Sequence, residues 1–173
     1  MFDVHPMVVH FPIAMLVFYS LFEAIPQRWI ARWKSSCTSI KLAFLFLGTI
    51  TSWLALSTGE VAEERVGETV LVDTHALFAN ATSWIFSILA VAYLWSAVLR
   101  PFLQKKNLPL PRIIDTILNR LTGIILFRPL VIILSLAGLV AITITGALGG
   151  AIVYGPDIDP FVSFFYHLLI PTS

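Results

Sequence analysis

Four stretches of the chain, Val8 to Ile25, Ile40 to Thr58, His75 to Leu99 and Pro129 to Tyr154, run with few or no charged side chains. Crossing about 30 Å of hydrocarbon takes about 20 mostly apolar residues in a helix. Water does not reach that region, so the backbone must satisfy its own hydrogen bonds. The stretches therefore predict an all-α integral membrane protein, a four-helix transmembrane bundle forming one domain over residues 1–173. Composition agrees: charged residues make up 12% of the chain, against about 25% in soluble domains. A net charge of +1 and the lack of a basic tract give no hint of a nucleic-acid partner. The single cysteine, Cys37, rules out an intramolecular disulfide and a Cys-based metal site. No basic segment precedes the first apolar run and no small-residue cleavage site follows it, so that run is expected to be a retained span.

The connections differ in sign. Arg28, Arg32 and Lys34 lie between the first and second spans, and Lys41 lies at the start of the second. Arg100, Lys105, Lys106, Arg112, Arg120 and Arg128 lie between the third and fourth, against Asp115 alone. Glu60, Glu63, Glu64, Glu68 and Asp73 lie between the second and third, opposed by Arg65. The positive-inside rule then places both termini on the outer side, periplasmic for an inner-membrane protein, and the two basic loops in the cytoplasm. Glu23, near the basic end, is expected to reach toward Arg28 or Arg32.

Two shorter segments read as interfacial. In "RIIDTILNRLTGIILF", Arg112, Asp115, Thr116, Asn119 and Arg120 recur on one helical face, with Ile113, Ile114, Ile117, Leu118 and Leu121 opposite. That pattern suits a helix lying on the cytoplasmic surface. In "DIDPFVSFFYHLLIP", Asp159 is placed to cap a short outer helix and Pro160 to open it. Span hydroxyls such as Thr49, Thr51, Ser52, Thr143 and Thr145 can bond their own helix and need no further role.

All four histidines, His5, His10, His75 and His167, fall at the periplasmic end. His10 opens the first span, and His75 opens the third, just after a possible cap at Asp73-Thr74. Those spans can lie diagonally across a bundle, which would bring His10 and His75 face to face. Two neutral imidazoles from facing helices suit the axial positions of a haem iron. Gly146 and Gly150 offer a small-xxx-small face for a flat ring, and Arg65 is the cation available for a propionate. Pro6 sets a helix start and Pro12 a bend near His10. Plainer readings exist for each feature. His5 and His167 can bond the headgroup layer, the glycines can serve helix packing, and the acidic run can be a solvated loop. A metal site built from His5, His10 and His75 with Glu60 or Glu64 is a further alternative.

"HPMVVHFPIA" resembles the opening HPxxVHFPI signature of a family of bacterial membrane proteins classed as a domain of unknown function. "STGEVAEE" at 57–64, "THALFANAT" at 74–82 and "GALGGAIVYG" at 146–155 are similar to that family's further motifs. The resemblance spans nearly all of the chain outside 100–128. It implies four spans, and an association with Rieske or cytochrome c modules that points to electron transfer, with His5, His10 and His75 as candidates. Many members carry a His-Gly pair after the Val-Tyr, where this chain has Gly155-Pro156. His167 is the residue that could substitute.

The combined expectation is a b-type cytochrome-like protein holding one haem b near the periplasmic face. It would exchange electrons with a quinol or a periplasmic redox protein, as an electron-transfer or binding protein rather than a stand-alone enzyme. A cofactor-free assembly subunit of a larger complex, docked through its GxxxG face and interfacial helices, is the competing expectation. No GxSxG, HExxH or Gly-rich phosphate loop is present to support hydrolysis.

Overall fold

The computed structural model describes residues 5–30, 34–67, 69–108 and 110–171. Among these residues the regular secondary structure is entirely helical. In chain order the helices are α1 (His5–Val8), α2 (His10–Ala24), α3 (Gln27–Ile30), α4 (Lys34–Val66), α5 (Val70–Tyr93), α6 (Arg100–Lys105), α7 (Arg112–Ile125), α8 (Arg128–Tyr154) and α9 (Pro160–Leu169). A π-helical segment, Leu94–Leu99, joins α5 to α6. Four helical stretches are long and apolar enough to cross a membrane: His5–Ala24, Ser36–Glu63, Val70–Lys105 and Arg128–Tyr154. The expected all-α, four-span architecture is the one observed.

Each span packs along two neighbours: α2 on α4 and α8, and α5 on α4 and α8. The first and third spans are thus diagonal, as expected. The core that joins them is apolar, with Leu16, Tyr19, Leu45, Phe86, Leu89, Val131 and Ile142 buried. Tyr19 and Phe86 meet across the diagonal edge to face, with ring centroids 5.8 Å apart. Phe86 in turn lies against Gly138 of α8. A Cβ there would sit 2.6 Å from the Phe86 Cζ, so only glycine lets the ring occupy the axis.

Local signals explain most of the ends. Pro12 has no N–H, so the first span cannot run unbroken, and the helix is interrupted at Val9 before resuming at His10. Asp159 caps α9 as expected, its Oδ1 accepting from the N–H of Phe161 and of Val162 at 2.8 and 2.9 Å. The cap of α5 differs from expectation. Thr69, not Asp73 or Thr74, accepts from Val72 N–H at 3.2 Å, so the helix starts a turn earlier and His75 sits in its second turn. Asp73 instead lies in the first turn, where its charge favours the helix dipole. The helix α7 leaves Ile113, Ile117, Leu121 and Ile124 exposed, while Asp115 and Asn119 face the basic end of the bundle through Arg100 and Trp95. Its apolar stripe therefore points outward, as a helix in a lipid interface requires.

The close approach at Gly138 gives a direct test. Gly138→Ala should lower stability by about 1–3 kcal/mol through overpacking, read by thermal unfolding in detergent. Adding Phe86→Leu should recover part of that loss.

Candidate functional site

The core stripe decides which histidines enter the bundle. His5, Pro12 and Tyr19 are spaced by seven, and so fall on one face of the first span. His10 is two residues from Pro12, about 160° away around a regular helix, and its side chain is exposed. On the third span, His75, Thr82 and Leu89 are likewise spaced by seven. His75 is half-buried. His5 and His75 thus share the core-facing stripes of their spans, whereas the His10 side chain is exposed.

Both rings are oriented by their Nδ1 atoms. His75 Nδ1 lies 2.9 Å from the backbone carbonyl of Thr145. A carbonyl only accepts, so His75 donates from Nδ1, and in the neutral ring the lone pair sits on Nε2. His5 Nδ1 lies 3.0 Å from Thr58 Oγ1. The Thr58 hydroxyl also lies 2.9 Å from the carbonyl of Ala55, and its oxygen accepts from or its O–H donates to His5 Nδ1 according to the tautomer of the ring. Two imidazoles from different helices are thus each held through Nδ1 by an oxygen of a neighbouring helix, α4 for His5 and α8 for His75.

Each ring also rests over a glycine. A Cβ on Gly59 would lie 3.2 Å from His5 Cε1, and a Cβ on Gly149 would lie 3.2 Å from His75 Cε1. These, rather than Gly146 and Gly150, are the glycines at the histidines. Gly146 has nothing within 4 Å of where its Cβ would be, and Gly150 is the seat of Val162 from α9. Glu60 is exposed, and the side chains of Glu64 and Arg65 lie outside the described residues. His167 sits on α9 and faces Asp157 at 3.4 Å, both exposed. Among the described residues no group of three or more His, Cys, Asp or Glu comes together to hold a metal ion.

A second polar centre lies at the other end. Glu23 is 4% exposed and pairs with Lys41 at 2.7 Å. Lys41 also donates to the Tyr93 hydroxyl at 3.1 Å, and that hydroxyl lies 3.4 Å from Glu23 Oε2. The expectation that Glu23 reaches Arg28 or Arg32 is corrected: its partner is on α4, inside the bundle, where an unpaired carboxylate would be costly. Arg32 lies outside the described residues. Next to this centre, the buried Tyr19 hydroxyl lies by Ser135 and Glu23 outside good hydrogen-bond geometry, and Ser20 Oγ donates to the Ser135 carbonyl at 3.1 Å.

Sequence reading missed Thr58, Gly59, Gly149 and the Thr145 carbonyl at the histidines, and Lys41 and Tyr93 at the ion pair. The sevenfold spacing was the available signal for preferring His5 to His10. Thr51, Ser52, Thr143 and Thr145 do bond their own helix through their hydroxyls, as expected. Thr49 Oγ1 does not; it is buried with no hydrogen bond among the described residues.

Residues 2–159 match the family described as a predicted membrane protein, DUF2231. The chain belongs to that family. No curated protein and no solved structure matches it. Both polar centres of this DUF2231 protein fall inside the matched region, and α9 follows it.

The buried ion pair predicts an asymmetric pattern of stability. Lys41→Met alone should cost about 3–5 kcal/mol, because it leaves Glu23 buried and unpaired, whereas the double variant with Glu23→Leu should fall close to the parent. Unfolding in mixed micelles with increasing SDS would measure both.

Proposed function

We propose that this DUF2231 protein is a membrane b-type cytochrome-like protein whose haem b is held at the histidine end of the bundle by His5 and His75. The observation that carries the reading is that the Nδ1 atoms of these two side chains are each held by an oxygen of a neighbouring helix. A ligating histidine needs its coordinating nitrogen deprotonated and its other nitrogen anchored to an acceptor. His5 meets the second requirement through Thr58, and His75 meets it through the Thr145 carbonyl. The donor set is thus of the right chemical type, and the glycines beneath the rings let each imidazole lie close against the neighbouring helix.

Bound there, a haem would supply one-electron chemistry. The protein's part is to orient the ligands and set their basicity. The Thr145 carbonyl, a strong acceptor within a helix, draws on the Nδ1 proton of His75 and makes Nε2 the better donor. Thr58 Oγ1 acts on His5 in the same way where it accepts from Nδ1. Stronger donation favours the oxidised metal.

The charge of the connections supports placing the histidine end on the periplasmic side of the inner membrane and the basic end in the cytoplasm. All four histidines of the chain lie at one end, so a second pair of histidine ligands is missing from the basic half. Electron exchange therefore belongs at the histidine face, with a quinol in the bilayer or a soluble redox partner.

Absorption spectra of the purified protein, oxidised and then reduced with dithionite, test the reading. A Soret band that shifts on reduction, with sharp α and β bands, is expected. His5→Ala and His75→Ala should each lose the six-coordinate signature, and His10→Ala should keep it. Thr58→Val should keep the signature and raise the midpoint potential. A featureless visible region after haem is supplied during expression would overturn the proposal and favour a cofactor-free assembly subunit.

A further inference from the structure

The basic end carries a cleft that neither polar centre uses. Between Asp73 and Arg100 the chain has no Asp, Glu, Lys or Arg, so Arg100 marks where the third span meets the headgroup layer. The span itself runs for 36 residues, Val70–Lys105, well beyond the roughly 20 that hydrocarbon requires. Past Lys105 the chain reverses. Asn107 takes a positive φ of 51°, and Leu108 N–H bonds back to the Leu103 carbonyl at 3.0 Å. The helix α7 then folds against the overhang. Trp95 Nε1 donates to Asn119 Oδ1 at 3.1 Å, and Arg100 leans its Nε toward Asp115 at 3.5 Å.

Between these two ties lies a cleft of about 420 Å³, lined by Arg100, Arg112, Gln104, Asn107, Leu103 and Leu110 among others. Its charge is unbalanced. Arg100 and Arg112 face one carboxylate, Asp115, and Lys105 and Lys106 stand exposed on the adjoining turn. The single ion pair is a weak one. At 3.5 Å it is too long for a good hydrogen bond, and the Arg100 Nε is buried with no hydrogen bond among the described residues. Around the cleft, Phe102, Leu108, Ile113 and Ile117 are exposed. The combination is a cationic pocket at headgroup depth, set in an apolar collar.

We infer that this cleft binds the phosphodiester headgroup of an anionic glycerophospholipid, with Arg100 and Arg112 on the phosphate and the exposed apolar residues beside its acyl chains. Guanidinium forks match phosphate oxygens in pairs. Basic pockets at the cytoplasmic ends of spans are where such lipids are selected. A zwitterionic lipid would bring its own ammonium into a pocket already rich in cations. The collar requires acyl chains, which distinguishes a lipid from free phosphate.

Native mass spectrometry of the full chain, released from micelles containing equal phosphatidylglycerol and phosphatidylcholine, tests the inference. One phosphatidylglycerol should be retained per chain in preference to phosphatidylcholine. Arg100→Gln and Arg112→Gln should each weaken retention about fivefold, and together about twenty-five-fold. Asp115→Asn removes the competing carboxylate and should strengthen retention, which keeps the test informative if an arginine variant fails to fold. Equal retention of both lipids would overturn the inference. So would retention unchanged in the arginine variants or in Asp115→Asn, or displacement of the lipid by millimolar inorganic phosphate or glycerol 3-phosphate.

Discussion

The edge-to-face contact of Tyr19 with Phe86 is the joint on which the bundle depends. The two rings belong to diagonal helices, and they meet on the axis only because Gly138 yields the space. Leu16, Leu45 and Leu89 close around them with no exposed surface. This apolar middle divides the polar content of the protein in two. His5, Thr58 and His75 lie at one end, and Glu23, Lys41 and Tyr93 at the other. The hydroxyls in between mostly return to their own helix backbone, as Ser52, Thr82 and Ser83 do. The two centres are separate pieces of chemistry on one scaffold.

That division gives the two ends different physical tasks. At the basic end the charges are opposite and buried, so their first effect is on assembly. Glu23 and Lys41 come from α2 and α4, and their pairing is correct in only one relative register of those helices. A buried pair of this kind adds little net stability over a hydrophobic replacement but penalises every misalignment. At the histidine end the groups can be neutral, and each is anchored through one nitrogen. Such an arrangement costs little to hold in a low dielectric and fixes the orientation of each ring.

The four spans were legible because hydrophobic length is a nearly sufficient signal in a bilayer. The diagonal placement of the first and third spans and the cap before Pro160 followed from equally local rules. What sequence reading took wrongly depended on rotation about a helix axis. Depth alone favoured His10, which lies deeper than His5. The face decided otherwise, because Pro12 and Tyr19 fix which side of the first span enters the core, and His5 shares that side. The glycines were misassigned for a related reason. Gly146 and Gly150 have the familiar spacing, but it is Gly149, one position earlier than Gly150 and about 100° around the helix from it, that faces His75 of α5. A spacing motif cannot register a single-residue rotation.

Glu23 shows the same limit in three dimensions. Along the chain its nearest cations are Arg28 and Arg32, and a carboxylate near a span end ordinarily turns toward them and toward water. In the fold it lies on the inward stripe with Leu16, Tyr19 and Ser20, so the partner had to come from another helix at matching depth. Lys41 fills that position because α4 begins well before its apolar stretch and carries the lysine down into the bundle, where the Tyr93 hydroxyl covers it from α5. The pairing is thus a consequence of helix phase and helix length together, two quantities that a single sequence encodes only through contacts not yet known.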